Sequence, residues 1–389
     1  MLTALSSPSV ANDGALIRPE ALAGYLARVL RAEVEVVAVR PLSAGGAAAD
    51  PKEFGYGGPL EVECRVDGAR RLLVISRARP AKGFGHDYPA DRAWQALYGH
   101  HAYNSFPRHA KSVDVGIVRE SGEVLSVADA AEFFQLVEKA PGSLYWLDLD
   151  RLLSHPVRAL DSDRARALAS FLGQVHAEKR DEPTLYHRRI RELVGHGECV
   201  MGILDSYPRH YPLLPSADCE IIEHLMVRWR WRLRERCRRL SRVHGDFHPW
   251  NLLFGDGTEF SVLDRSRGEW GEPADDVSAL AVNYLFFGVR KSCAAAGATG
   301  VAEPFASLFE LFLQTYLDAT GDGDLLEVLP PFLAFRALVI AHPRWYPTLS
   351  DATRRSLLGF ARAMAEARVF EPHRTLEFFA RGGFAWAVR

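Results

Sequence analysis

A single change of period near Pro141-Gly142 constrains this chain more than any other feature. Before it, apolar and polar residues alternate in short runs. Val34–Val39, Leu60–Val66, Arg71–Ile75, Ile117-Val118, Glu123–Leu125 and Phe134–Glu138 all read as strands. Asp67-Gly68 and Ser121-Gly122 supply hairpin turns. Helical patterns interrupt this region at Pro19–Leu30, where Pro19 suits a first turn, and from Ala90 to about Tyr103. After the switch the period is helical: Asp161–Lys179 carries the stripe Ala165, Leu168, Leu172 and Val175. Further helices are expected over Ala217–Arg239, 273–290, 304–319, 326–341 and 351–368. The expectation is an α+β chain: a leader over 1–22, a β-rich lobe over 23–140 and a mostly helical lobe over 141–389.

Composition narrows the class. The 389 residues are 48% hydrophobic and 25% charged, enough for a large core and too apolar for disorder. Basic and acidic residues number 47 and 49, so net charge gives no case for nucleic-acid binding. Five scattered cysteines without a C-x-x-C pair read as reduced thiols rather than a disulfide or zinc framework. Met1–Leu16 lacks the basic start and apolar core of a signal peptide. Val277–Val289 is short of the ~18 apolar residues that span a bilayer. A cytoplasmic protein with no membrane partner is expected, of unknown oligomeric state.

One segment carries chemistry: Val243-His244-Gly245-Asp246-Phe247-His248-Pro249-Trp250-Asn251-Leu252-Leu253-Phe254. After Gly255-Asp256-Gly257 the chain returns as Phe260-Ser261-Val262-Leu263-Asp264. Two apolar runs around a D-G turn predict a hairpin, with Asp246 and Asn251 before its first strand and Asp264 after its second. Three oxygen-bearing side chains can therefore meet at one end of it. Such oxygens suit Mg²⁺, which takes one or two carboxylates and completes its shell from phosphates and water. Taken singly, each of these residues is as well explained by turn formation.

Together they resemble the aminoglycoside phosphotransferase and choline kinase branch of the protein-kinase-like fold, where H-G-D-x-x-x-x-N precedes a strand ending in a metal-binding Asp. Gly271-Glu272-Pro273-Ala274-Asp275-Asp276 is similar to that family's G-x-P-x-x-D element, whose Asp braces the catalytic loop; Leu172–His176 is similar to its helix ending in Leu-His. The resemblance implies a two-lobed fold and ATP- and Mg²⁺-dependent phosphorylation of a hydroxyl on a small molecule. Asp246 would be the base, and Asn251 and Asp264 the metal ligands. Nucleotide contacts would fall on Ser43, Gly45 and Gly46 in the turn between the first two strands. A hinge at Glu138–Ala140, including Glu138 and Ala140, would meet the adenine.

The first lobe departs from the pattern. The family's third strand ends in a phosphate-binding lysine, whereas here it reads Leu72-Leu73-Val74-Ile75-Ser76-Arg77. Arg77 is the natural substitute, with Asp91 as its expected partner, but a guanidinium fork is bulkier than an ammonium. Without the lysine, a nucleotide-binding pseudokinase is the alternative, and nucleotidyl transfer on the same scaffold a third. Arg265 and Arg267 follow Asp264, and eight arginines crowd 228–242, read as a helix. That helix is first a solvated or ion-paired face; its sharper reading is a positive field that disfavours polycationic acceptors such as aminoglycosides.

Overall fold

In a computed structural model, residues 17–42, 57–81, 83–295 and 298–382 are described. The chain forms two compact units, Met1–Val137 and Glu138–Arg389. The first holds a three-stranded antiparallel sheet in the order β1 (Val34–Pro41), β2 (Leu60–Val66), β3 (Ala69–Ile75), with α1 (Pro19–Leu30) packed on it. Pro19–Leu22, placed with the leader in the sequence reading, make the first turn of α1. Leu22 and Leu26 lie on one stripe and bury against Val62 of the sheet, which is why this short helix forms. A separate hairpin pairs β4 (Gly116–Val118) with β5 (Val124–Ser126), and α2 spans Pro89–Ser105.

The strand expected over Phe134–Glu138 is corrected here. Phe134–Glu138 is not a strand, and Phe134 and Leu136 are about nine-tenths exposed. An apolar run becomes a strand only with a ladder partner and a buried face, and this run has neither among the described residues. Glu138 and Ala140 lie in the same irregular stretch, and Ser43, Gly45 and Gly46 lie outside the described residues.

The second unit is mostly helical. A three-stranded sheet joins β6 (Ser143–Leu144) to the hairpin of β8 (Leu252–Phe254) and β9 (Phe260–Val262), while β7 (Ser241–Arg242) pairs with β10 (Trp270–Gly271). Around them run α3 (Tyr145–Arg151), α4 (Ala159–His176), α5 (Pro183–Gly195), α6 (Val200–Ser206) and α7 (Ser216–Leu233). Then follow α8 (Pro273–Ala294), α9 (Phe305–Thr320), α10 (Leu325–Val328), α11 (Pro330–Ala341), α12 (Asp351–Glu366) and α13 (Pro372–Ala380). Nearly every residue of α8 and α11 is buried, so these two form the core. No helix among the described residues is long and apolar enough to cross a membrane.

The Arg-rich segment is a helix only as far as Leu233. Beyond it a turn and β7 carry Arg234, Arg236, Arg238, Arg239 and Arg242; Arg234 lies over the Trp231 ring, and the other four are matched to acids from elsewhere in the chain. Arg236 and Arg238 pair with Asp324, Arg242 with Glu178, and buried Arg239 with Glu272 and Asp322. Four of the eight arginines of this segment are thus answered by carboxylates of the protein.

Candidate active site

Gly245 sets the course of the loop that carries Asp246. Its φ of 88° lies in the left-handed region, and a Cβ there would come within 3.1 Å of the Arg267 Cβ. Glycine alone takes that conformation without strain. Asp276, in the first turn of α8, anchors the loop from below: its two carboxylate oxygens accept the backbone N–H groups of His244 and Gly245, both at 2.7 Å. His176, the last residue of α4, reaches the same carboxylate at 3.1 Å, and its other ring nitrogen meets the Tyr316 hydroxyl at 2.8 Å. Burial, the largest influence on Asp276, raises its pKa, but the His176 and His244 contacts outweigh it and leave the group lowered. The Leu-His pair and the G-x-P-x-x-D element thus meet in one buried brace.

His244 ties the loop to the hairpin. Its Nδ1 accepts the Asp246 N–H at 3.1 Å, which leaves Nε2 to donate to the Leu263 carbonyl at 2.8 Å. The Leu263 N–H in turn donates to the Asn251 carbonyl at 2.9 Å, extending the β8–β9 register by one pair. Asn251 and Asp264 therefore stand at the same open end of the hairpin. The amide nitrogen of Asn251 is spent on the Asp246 carbonyl at 3.0 Å, while its Oδ1 accepts no hydrogen bond among the described residues. Asp264 is exposed at φ 54°, a left-handed conformation that Asp tolerates better than most residues, and no protein cation pairs with it among the described residues. A free amide oxygen beside a free carboxylate is a hard donor set that fits Mg²⁺. Among the described residues no three His, Cys, Asp or Glu side chains gather as a metal site, so a cation here needs further ligands from a phosphate.

Asp246 itself is crowded by positive charge. Buried Arg336 on α11 donates one Nη to Asp246 Oδ1, and the other to the Gly245 carbonyl at 2.9 Å and Asp275 Oδ1 at 2.5 Å. On the other carboxylate oxygen, His248 Nε2 stands at 3.5 Å and Arg267 at 3.8 Å. Burial is the largest single influence and would raise the Asp246 pKa. Arg336, His248 and Arg267 together overcome it and hold the carboxyl well below the usual range. For Asp275 burial wins, and its pKa is raised. The sequence reading missed Arg336 and Asp275. One signal was available: Pro330–Ala341 is apolar on all sides except Arg336, and a cation in such a helix must find a carboxylate. Arg265 is drawn off to the carbonyls of Val243 and Glu269, at 2.9 and 3.1 Å.

In the first unit, Arg77 lies past the end of β3 and donates through Nε to the Gly58 carbonyl at 3.3 Å. Asp91 accepts the Tyr88 N–H at 2.9 Å, closing the N-terminus of α2.

Residues 120–306, just under half the chain and containing this whole loop, brace and hairpin, match the model described as the phosphotransferase enzyme family. The chain carries a phosphotransferase-family segment. The resemblance read from H-G-D-x-x-x-x-N holds, and with it the enzyme class: phosphotransferase. No curated protein matches the chain. Among solved structures, a glucosamine kinase in complex with glucosamine, ADP and phosphate is 17% identical, covering 89% of this chain and 97% of its own, at a TM-score of 0.33. The macrolide 2′-phosphotransferase MphH of Brachybacterium faecium is 17% identical over 88% of this chain and 98% of its own, at 0.30. A choline kinase from Cryptosporidium parvum is 12% identical over 90% and 91%, at 0.33. Likeness at this level says nothing of the substrate.

Proposed function

We propose that this phosphotransferase moves the γ-phosphoryl group of ATP to a hydroxyl of a small molecule, with Mg²⁺. The observation that carries the reading is the gathering of Asp246, Asn251 and Asp264 at one end of the β8–β9 hairpin, inside the family-matched segment. In the transfer, the acceptor oxygen bonds to phosphorus as the bond to the ADP oxygen breaks, and the hydroxyl proton passes to Asp246. Because Arg336 occupies Oδ1, Oδ2 is the oxygen left to receive it. A carboxylate held so far below its ordinary pKa is a weak base, so its main contribution is to aim the hydroxyl and take the proton late. Asn251 Oδ1 and Asp264 would hold Mg²⁺, which when bound neutralises phosphate charge. Arg77, oriented by Asp91, would stand in for the missing lysine; Ser43, Gly45 and Gly46 would cover the phosphates, and Glu138 and Ala140 would offer backbone groups to adenine. All five cysteines are free, which supports a reducing, cytoplasmic setting.

The test is ADP formation from ATP and Mg²⁺ across a panel of hydroxyl compounds, with Asp246→Asn as control. Acceptor-dependent ADP lost in the variant supports the reading. ATP bound tightly with no acceptor ever turned over would favour a pseudokinase instead.

A further inference from the structure

A pocket of about 360 Å³ opens in the second unit, and its wall includes part of the loop that carries Asp246. Trp250 stands four residues after Asp246 and immediately before Asn251. It stacks on Trp146 of α3 with ring centroids 6.0 Å apart and planes 11° off parallel. Phe287 of α8 stacks on it at 6.4 Å, and Tyr346, beyond α11, meets it edge-on at 5.8 Å. Among the described residues, neither indole N–H nor the Tyr346 hydroxyl has a hydrogen-bond partner. The pocket thus sets an aromatic cluster beside polar groups, Asp150, Arg290, Thr348, Ser350 and Thr353, a mixture able to hold a small molecule by ring contact and hydrogen bonds.

Its charge is settled from within. The carboxylate in the lining, Asp150, is paired with Arg290 at 2.9 Å, and the same guanidinium carbon lies 5.9 Å from the Phe287 ring centroid. A ligand cation entering this aromatic box would find the carboxylate already neutralised and a guanidinium near one of its ring faces. Toward Asp246 it would meet Arg336, Arg267 and His248. We propose that this pocket is the acceptor subsite and takes a neutral alcohol with a flat or ring-shaped apolar body, rather than a quaternary ammonium or a polycationic amine. The proposal rests on the phosphotransferase reading above.

Binding can be measured without turnover, which separates the two ideas. Intrinsic tryptophan fluorescence of the full chain, without ATP or Mg²⁺, should be titrated with phenyl β-D-glucoside, choline and kanamycin. Phenyl glucoside should perturb emission saturably and at least tenfold more tightly than either cation, and Trp146→Leu should weaken it about tenfold. Arg290→Ala gives a gain rather than a loss: with Asp150 freed, choline should bind at least fivefold better than to wild type. Choline or kanamycin binding wild type as tightly as phenyl glucoside, no saturable binding of phenyl glucoside, or no choline gain in Arg290→Ala would each overturn the proposal. If the pocket behaves as expected while no hydroxyl compound is ever phosphorylated, the pocket stands and the catalytic reading falls.

Discussion

Arg336 and Asp246, 90 residues apart in the chain, are joined by a buried charged hydrogen bond, and the same guanidinium also holds the Gly245 carbonyl. One side chain from the helical core therefore fixes both the carboxylate and the backbone immediately before it.

Removing that guanidinium should shift the pH dependence. In the wild type the depressed pKa keeps Asp246 ionised through the ordinary carboxylate range, so it should give kcat/KM no acid limb near pH 4. In Arg336→Met, burial is left to dominate and the pKa rises, so an acid limb should move up into the accessible range. The substitution also strands Asp246 and Asp275, at a cost of about 3–5 kcal/mol in denaturant unfolding. An unchanged pH profile in a folded variant would show that Arg336 does not govern the base.

Asp246→Asn should lower turnover by about 10²–10⁴-fold, because the amide keeps the shape and cannot take a proton. Nucleotide affinity should stay close to wild type. Stopped-flow or coupled ADP assays beside a nucleotide titration read both.

Asn251→Ala and Asp264→Ala should each raise the Mg²⁺ concentration needed for nucleotide binding. Asp264 should matter more, since its loss removes a full charge from the metal position. Superimposable Mg²⁺ titrations for all three proteins would remove the assignment.

Asp276→Ala should loosen the loop and the fold together. It leaves two backbone N–H groups without their acceptor, at roughly 1–3 kcal/mol each. Because the folded pKa of Asp276 is lowered, its contribution is present above the unfolded value and fades as pH falls through the folded one. The stability gap between variant and wild type should accordingly shrink in acid.

Arg77→Ala should weaken ATP binding by roughly ten- to a hundredfold if Arg77 replaces the lysine, since a charged hydrogen bond to phosphate is worth about 1.5–3 kcal/mol. Arg77→Lys separates two geometries: restored binding means the family's arrangement survives, and failure means the site has reshaped around the fork.

What could be read in advance follows from how local each signal is. Pro19 marks the first turn of α1, and the D-G turn with its flanking apolar runs marks the β8–β9 hairpin. Phe134–Glu138 misled because strand character depends on a partner the sequence does not name. The long arginine helix ended early because Arg236, Arg238 and Arg239 are claimed by Asp322, Asp324 and Glu327, far along the chain. Arg336 stands out as the one cation of α11, but its partners could not be read locally, because its carboxylates lie 61 and 90 residues away.

Helix α8 acts as a ruler. Asp276 in its first turn suspends the loop that carries Asp246, and Phe287, on the same helix, forms a wall of the aromatic pocket. At 1.5 Å of rise per residue the two stand about 16 Å apart along one continuous, buried helix. Rebuilding the pocket from the α3 side or from the segment after α11 leaves that spacing untouched, whereas inserting or deleting one residue between Asp276 and Phe287 would swing the wall by about 100° relative to the loop. Changes of acceptor preference should therefore be far easier to select in Trp146 or Tyr346 than anywhere along the middle of α8.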